Sequence, residues 1–289
     1  MAGTISWTGT LTALSSVSHT GESLGVRAQL RREYVFDAEG RRVLVPVVSG
    51  NHLRGRLRRV GEELLRDAVG YEGLLTPAAA HVLRGGGALA KSKGEPLSGS
   101  RLATLRRLVP QIGVFGGAGG GTIISGALMV GKVVPHLADT VRITGVPSKV
   151  TRFTATQLEA YTRRDDSDLH DFADVVPVES DARLEFDEDG AVRIVGGRQM
   201  QFVVETFPAG TTFSAWLTLN RPTDLELAFF VDVLAAYAAA GRLGGRGAIG
   251  HGLVRADLVP DHAPEGLPDW RAFVVEHRDE VLDALGTLT

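Results

Sequence analysis

The sequence Val43-Leu-Val-Pro-Val-Val48 runs directly into Ser49-Gly-Asn-His-Leu-Arg-Gly-Arg-Leu-Arg-Arg59. The first part is an apolar run of the kind found in a strand buried on both faces, with Pro46 marking an edge or a break. The second part opens a helix. Ser49 is the expected N-cap, and Val48 and Leu53 hold the two positions of a hydrophobic staple. Leu53, Leu57, Val60, Leu64 and Leu65 then repeat along one face of a helix running to Gly70, which places the arginines on the opposite face. Four arginines precede the first acid, Glu62. The amino end of a helix carries about half a positive charge and normally attracts acids. Arg54, Arg56, Arg58 and Arg59 break that rule, and an anion bound at the free amides would compensate them. A solvated basic face accounts for the same residues without a ligand.

A chain of 289 residues is long enough for one elaborated domain or two. It has no apolar run of the roughly 18 residues that a membrane span needs and no amino-terminal signal pattern, so no membrane partner and a cytoplasmic location are expected. The absence of cysteine excludes disulfides and thiolate metal sites. The net charge of −3 hides a segregation of charge. Residues 51–110 hold eleven Lys or Arg against five Asp or Glu, a local +6, whereas residues 165–189 hold eleven acids against one arginine, a local −10. A chain built this way can bind a polyanion with one region and offer the other to the basic face of a neighbouring copy. Separate solvated faces on a monomer account for it equally well.

Residues 4–14 alternate as a strand with one buried face. A polar loop over 15–25 carries His19, and a second strand is expected over 26–36, turned at 37–40. Residues 77–83 and 102–109 read as helices, the latter with Arg101, Arg106 and Arg107 in or beside it. The glycine-rich loop between them bears Lys91 and Lys93. Seven glycines in the fourteen residues 113–126 could cradle a phosphate, but no Gly-Lys-Ser/Thr follows, so a nucleotide P-loop is not supported. A strand resumes over 128–134, and residues 184–195 resemble a hairpin. Residues 200–207 and 211–219 read as an antiparallel pair. Thr223 with Glu226 forms a capping box for a helix ending at Gly241. Gly245-Arg-Gly-Ala-Ile-Gly250 matches a dinucleotide fingerprint in form only, because it follows a helix and precedes a strand. Residues 267–285, with Trp270, Phe273, Val274, His277, Val281 and Leu285 on one face, read as a single final helix.

The order of elements predicts an α+β fold: a ferredoxin-like, RRM-like antiparallel sheet with helices on one side. Pro46 through Arg58, Phe115-Gly116 with the following glycines, Glu205-Thr-Phe-Pro-Ala-Gly-Thr-Thr-Phe213 and the late loop Gly244 to Gly252 together resemble the landmarks of the RAMP superfamily of CRISPR effector proteins. The resemblance covers residues 4–259 and is to the backbone (Cas seven-like) subunits of class 1 complexes, most of all the type IV version. It implies a single elaborated RRM-like domain over residues 1–289, its sheet the palm, with a helical, Gly-rich fingers insertion at about 71–127 and a protruding thumb hairpin at about 146–199. It further implies polymerisation along a CRISPR RNA, with complementary target nucleic acid, further copies of the chain and other CRISPR effector subunits as partners. Matching the motif, Ser49, Asn51, His52, Arg54, Arg56, Arg58 and Arg59 would grip RNA phosphates, joined by Arg246 and His251. Lys91 and Lys93 are candidates from charge. Lys149, Arg152, Phe153, Arg163 and Arg164 would lie at the thumb. Arg54 and Arg58, one turn apart, are the leading pair. No catalytic residue, cofactor or metal is expected. An endoribonuclease with His19 as general acid or base is the alternative.

Overall fold

The computed structural model describes residues 3–87, 99–119, 121–163, 184–186, 192–194 and 200–288. Lys91, Lys93, Arg164 and most of the acidic run lie outside the described residues.

The strands are β1 (Ile5–Ala13), β2 (Thr20–Leu24), β3 (Arg27–Leu30), β4 (Arg32–Phe36), β5 (Arg42–Pro46), β6 (Gly117–Gly119), β7 (Thr122–Ile124), β8 (Leu128–Val130), β9 (Val134–Pro135), β10 (Gln157–Arg163), β11 (Leu184–Phe186), β12 (Val192–Ile194), β13 (Met200–Thr206), β14 (Thr212–Leu219) and β15 (Val254–Pro260). The helices are α1 (Gly50–Val69), α2 (Pro77–Gly85), α3 (Gly99–Leu108), α4 (Pro110–Phe115), α5 (Val141–Thr144), α6 (Asp224–Ala240), α7 (Trp270–Glu276) and α8 (Arg278–Gly286).

The central sheet has the order β15-β1-β14-β8, with every neighbouring pair antiparallel and β9 also on β14. In chain order its parts run β1, α1, β8, β14, α6, β15, the split arrangement in which each helix crosses over one intervening strand. Ile5, Trp7, Leu11 and Ala13 of β1 and Phe213, Ala215, Leu217 and Leu219 of β14 turn to one face and are buried. There they meet Leu53, Leu57 and Leu65 of α1 and Phe229, Phe230 and Val233 of α6 in one core. Local chemistry sets both helices. Ser49 Oγ accepts from the His52 amide at 3.2 Å, and left-handed Gly70 stops α1. Thr223 and Glu226 form the expected capping box of α6, and left-handed Gly241 stops it.

Six expectations are corrected. The polar loop at 15–25 contains β2. The strand at 26–36 is interrupted at Arg31, so that β3 joins β2, β13 and β10 while β4 pairs with β5. Leu44 is exposed, because β5 belongs to a two-stranded hairpin and is buried on one face only. The stretch 128–134 is two short strands. Gly131 lies against the Trp216 ring, where any Cβ would collide, and the chain turns there so that Val133 bonds Val48 in both directions. Finally, β13 and β14 do not pair with each other: β13 lies in the second sheet, order β10-β13-β3-β2, and β14 in the first. The last helix is also broken, at His277, into α7 against α1 and α8 against α3. The hairpin β11–β12 is formed as expected.

Candidate nucleic-acid interface

The start of α1 and the late glycine-rich loop are far apart in sequence and meet in space. His52 Nε2 accepts the Gly244 N–H at 2.8 Å, and the Arg56 guanidinium donates to the Gly244 carbonyl. Gly244 is left-handed (φ +81°), and a Cβ there would lie 2.4 Å from the Ser18 carbonyl oxygen, so both its conformation and its surroundings demand glycine. On the other side of the helix start, His19 Nε2 accepts the Ser49 N–H at 3.2 Å, and the His19 and His52 rings stand 4.9 Å apart. These contacts fix both imidazoles as neutral acceptors at Nε2. Burial first, then His19, Arg56 and Arg59, pull the pKa of His52 down from 6.5 to about 4, and burial and Arg31 lower that of His19.

The opposite-face expectation for the arginines fails for the pair singled out first. Arg58 is buried and donates to the carbonyls of Val82 (3.1 Å), Gly116 (2.9 Å) and Phe115 (2.6 Å). Arg54 donates to Phe115 O at 2.7 Å and to Leu128 O. Spaced i, i+4, the two guanidiniums cap the last carbonyls of α4 and α2, where positive charge also meets the negative end of a helix dipole. The coincidence of the arginine-rich motif with Phe115-Gly116 thus has a packing cause.

Outward from these braced side chains lies a cleft of about 520 Å3 lined by Asn51, His52, Arg54, Gly55, Arg56, Arg58, Arg59 and Gly85 to Gly87, with no acid among these residues. Asn51 and Arg59 are exposed in it and have no hydrogen-bond or ion-pair partner among the described residues. A larger cavity of about 880 Å3, with Tyr34, Phe36, Ile143 and Trp216 in its wall, opens on the sheet face away from the helices; its mainly apolar lining does not suit a polyanion.

The remaining candidates divide. Arg246 is exposed, left-handed (φ +59°) and placed 5.4 Å over the Phe202 ring. His251 is buried with both nitrogens engaged, by Ser16 Oγ at 2.8 Å and Tyr161 Oη at 2.7 Å, so it braces the loop and is not open to a phosphate. Arg152 pairs with Asp139 through its side chain and its amide, while Phe153 beside it is 78% exposed and Lys149 is exposed. Arg163 ends β10. Arg106 and Arg107 bridge to Glu226 (4.0 Å) and Glu280 (3.7 Å), tying α3 to α6 and α8. Tyr161, Phe202 and Glu159 escape a sequence reading because their partners are long-range; the alternation along β10 and β13 is the one signal that could have placed them on a common face.

A pH dependence follows from His52. Its folded pKa lies below the ordinary value, so the stability it contributes is fully present above about pH 6.5 and is lost as the pH falls toward about 4, where protonation breaks the bond from Gly244. Urea unfolding of the His52→Gln variant, whose amide oxygen still accepts but does not titrate, is expected to show a shallower loss of stability across that window. An identical acid limb in both proteins would remove His52 from this role.

No protein-family model matches the chain, and no curated protein matches it in sequence. Among solved structures it is similar to a chain of a "Type IV-B CRISPR Complex", at 30% identity and a TM-score of 0.58, over 92% of this chain and 96% of that one. With the α+β fold and the four landmarks in their expected order, this defines a component of a class 1 CRISPR effector complex. The chain belongs to the backbone-type (Cas seven-like) subunits of type IV complexes. Other CRISPR subunits are therefore its partners, and among the described residues no helix is long and apolar enough to cross a membrane.

Proposed function

We propose that the chain binds CRISPR RNA and assembles head to tail along it as the backbone of a cytoplasmic ribonucleoprotein that pairs with complementary target nucleic acid. The carrying observation is the cleft at the start of α1, whose lining residues include four arginines and no carboxylate. RNA held by its backbone needs positive charge, amides and glycines that permit close approach, and little sequence reading. Asn51 and Arg59 are the cleft side chains free to contact phosphate. Arg54, Arg56 and Arg58 contribute field from behind, since a guanidinium keeps its charge while donating to carbonyls. In this reading β1, β8, β14 and β15 with α1 and α6 form the palm, residues 71–127 the fingers and 146–199 the thumb.

The subunit is proposed to be without catalysis of its own. His19, the alternative general acid or base, has its Nε2 committed to the Ser49 amide and its pKa lowered, which leaves it a poor proton donor at neutral pH. Purification from a bacterial host tests the proposal. A large species whose absorbance ratio shows co-purified RNA is expected, and a nucleic-acid-free monomer would overturn it. Cleavage of repeat RNA that is abolished by His19→Ala would instead establish the endoribonuclease.

A further inference from the structure

At the late loop, which His52 and Arg56 hold at Gly244, three planar side chains stand in a row. Tyr161 on β10 and Phe202 on β13 are register partners whose rings stack at 5.3 Å with 20° between planes, and the Arg246 guanidinium lies 5.4 Å from the centre of the Phe202 ring. The row is held rigidly. Tyr161 Oη donates to Glu159 Oε2 at 2.7 Å and pairs with His251 Nε2 at 2.7 Å; Glu159 also accepts from Thr206 at 2.6 Å, and His251 is pinned by Ser16 at 2.8 Å.

Arg246 itself is anomalous. It has left-handed backbone between Gly245 and Gly247, where glycine would adopt the same φ without strain. Its carbonyl accepts the Ile249 N–H at 3.1 Å, but its side chain makes no hydrogen bond or ion pair among the described residues, and the guanidinium's visible engagement is with the Phe202 ring. An exposed arginine in left-handed backbone, with its guanidinium over an aromatic ring, presents a planar cation outward. Unpaired bases of RNA are bound in that way, on aromatic rings and on guanidinium planes.

We propose that Tyr161, Phe202 and Arg246 form a stacking platform for one unpaired base of the bound RNA, a site distinct from the arginine-lined cleft but resting on the same RNA-binding reading. Arg246 touches the base, and Phe202 with Tyr161, Glu159 and His251 behind it positions the guanidinium.

The experiment compares binding of a single-stranded oligouridylate with binding of a strand of equal length whose bases are removed. The wild-type protein is expected to prefer the base-bearing strand by roughly tenfold or more. Arg246→Lys keeps the charge but not the plane, and Phe202→Leu keeps the apolar bulk but not the ring; each is expected to lose several-fold of that preference with the salt dependence unchanged. Arg246→Gly relieves the backbone and is expected to keep or raise the unfolding midpoint while losing the preference, which separates the effect from misfolding. If Arg246→Lys discriminates the two strands as the wild type does, and Arg246→Gly only lowers the salt slope by about one, Arg246 is a plain phosphate contact and the platform is overturned. If the wild type binds neither strand in a salt-dependent way, the RNA-binding reading fails first and the platform with it.

Discussion

Replacing Arg58 with alanine is expected to destabilise the fold by about 2–5 kcal/mol, since each buried carbonyl left without a donor costs about 1–3 kcal/mol and the packed stem is lost with it. The side chain is 6% exposed and satisfies three carbonyls, those of Val82, Phe115 and Gly116. Without it Val82 and Gly116 lose a charged donor at the ends of α2 and α4, and Phe115 keeps the one from Arg54. The aliphatic stem is lost as well, which exposes the packing between α1 and α2. Burial lowers the pKa of Arg58 to about 10, still well above neutral pH, so the group that is removed is a charged one. Arg58→Lys should recover only part of the loss, because one ammonium cannot reproduce a fork that reaches three oxygens. Urea unfolding followed by circular dichroism measures this. A loss of less than about 1 kcal/mol, accompanied by weakened RNA binding, would return Arg58 to the phosphate contacts and refute its structural role.

What could be read in the sequence was what is local. The capping serine, the capping box at Thr223 and Glu226, the left-handed glycines at 70 and 241 and the apolar repeat of α1 each act within a few residues, so their pattern survives in one dimension. Partners set by the fold did not survive in that form. Residues 200–219 show two strands about a short turn, the signature of a hairpin, yet Glu205 draws β13 toward the second sheet by accepting from the Leu30 amide, Arg32 and Thr156. Burial pushes its carboxyl up, but Arg32 and the Leu30 amide outweigh burial and hold it below the usual carboxylate range. The arginines show the same limit more sharply. A basic stripe has one appearance in sequence whether its guanidiniums reach water or the carbonyls of another helix. Arg54 and Arg58 point inward because α4 ends beside them, and nothing within α1 announces that.

Charge reversal at Arg59 is expected to do the opposite of truncation at Arg58: to leave stability almost unchanged and to weaken RNA binding by tenfold or more. Arg59 is exposed at the mouth of the cleft, and it belongs to the cluster of positive charge that lowers the pKa of His52. Its removal orphans no buried group, and surface substitutions of that kind usually lie within about 0.5 kcal/mol. Its effect on a polyanion is larger. Each phosphate contact contributes a slope of roughly 0.9 in log affinity against log salt on duplex DNA and about 0.7 on a single strand, and glutamate adds repulsion where a contact is lost. Titrating labelled RNA into Arg59→Glu between low and physiological salt should therefore give both a weaker affinity and a slope reduced by about one. The paired result decides between two pictures of α1. If Arg59→Glu binds RNA as the wild type does, the cleft is not the RNA path and the arginine-rich motif is a brace for α2, α4 and the late loop alone. If the affinity and the slope both fall while the unfolding midpoint holds, one helix does two jobs with alternating residues: the arginines at 54 and 58 lock the fold from within, and Arg59 offers its charge to the RNA.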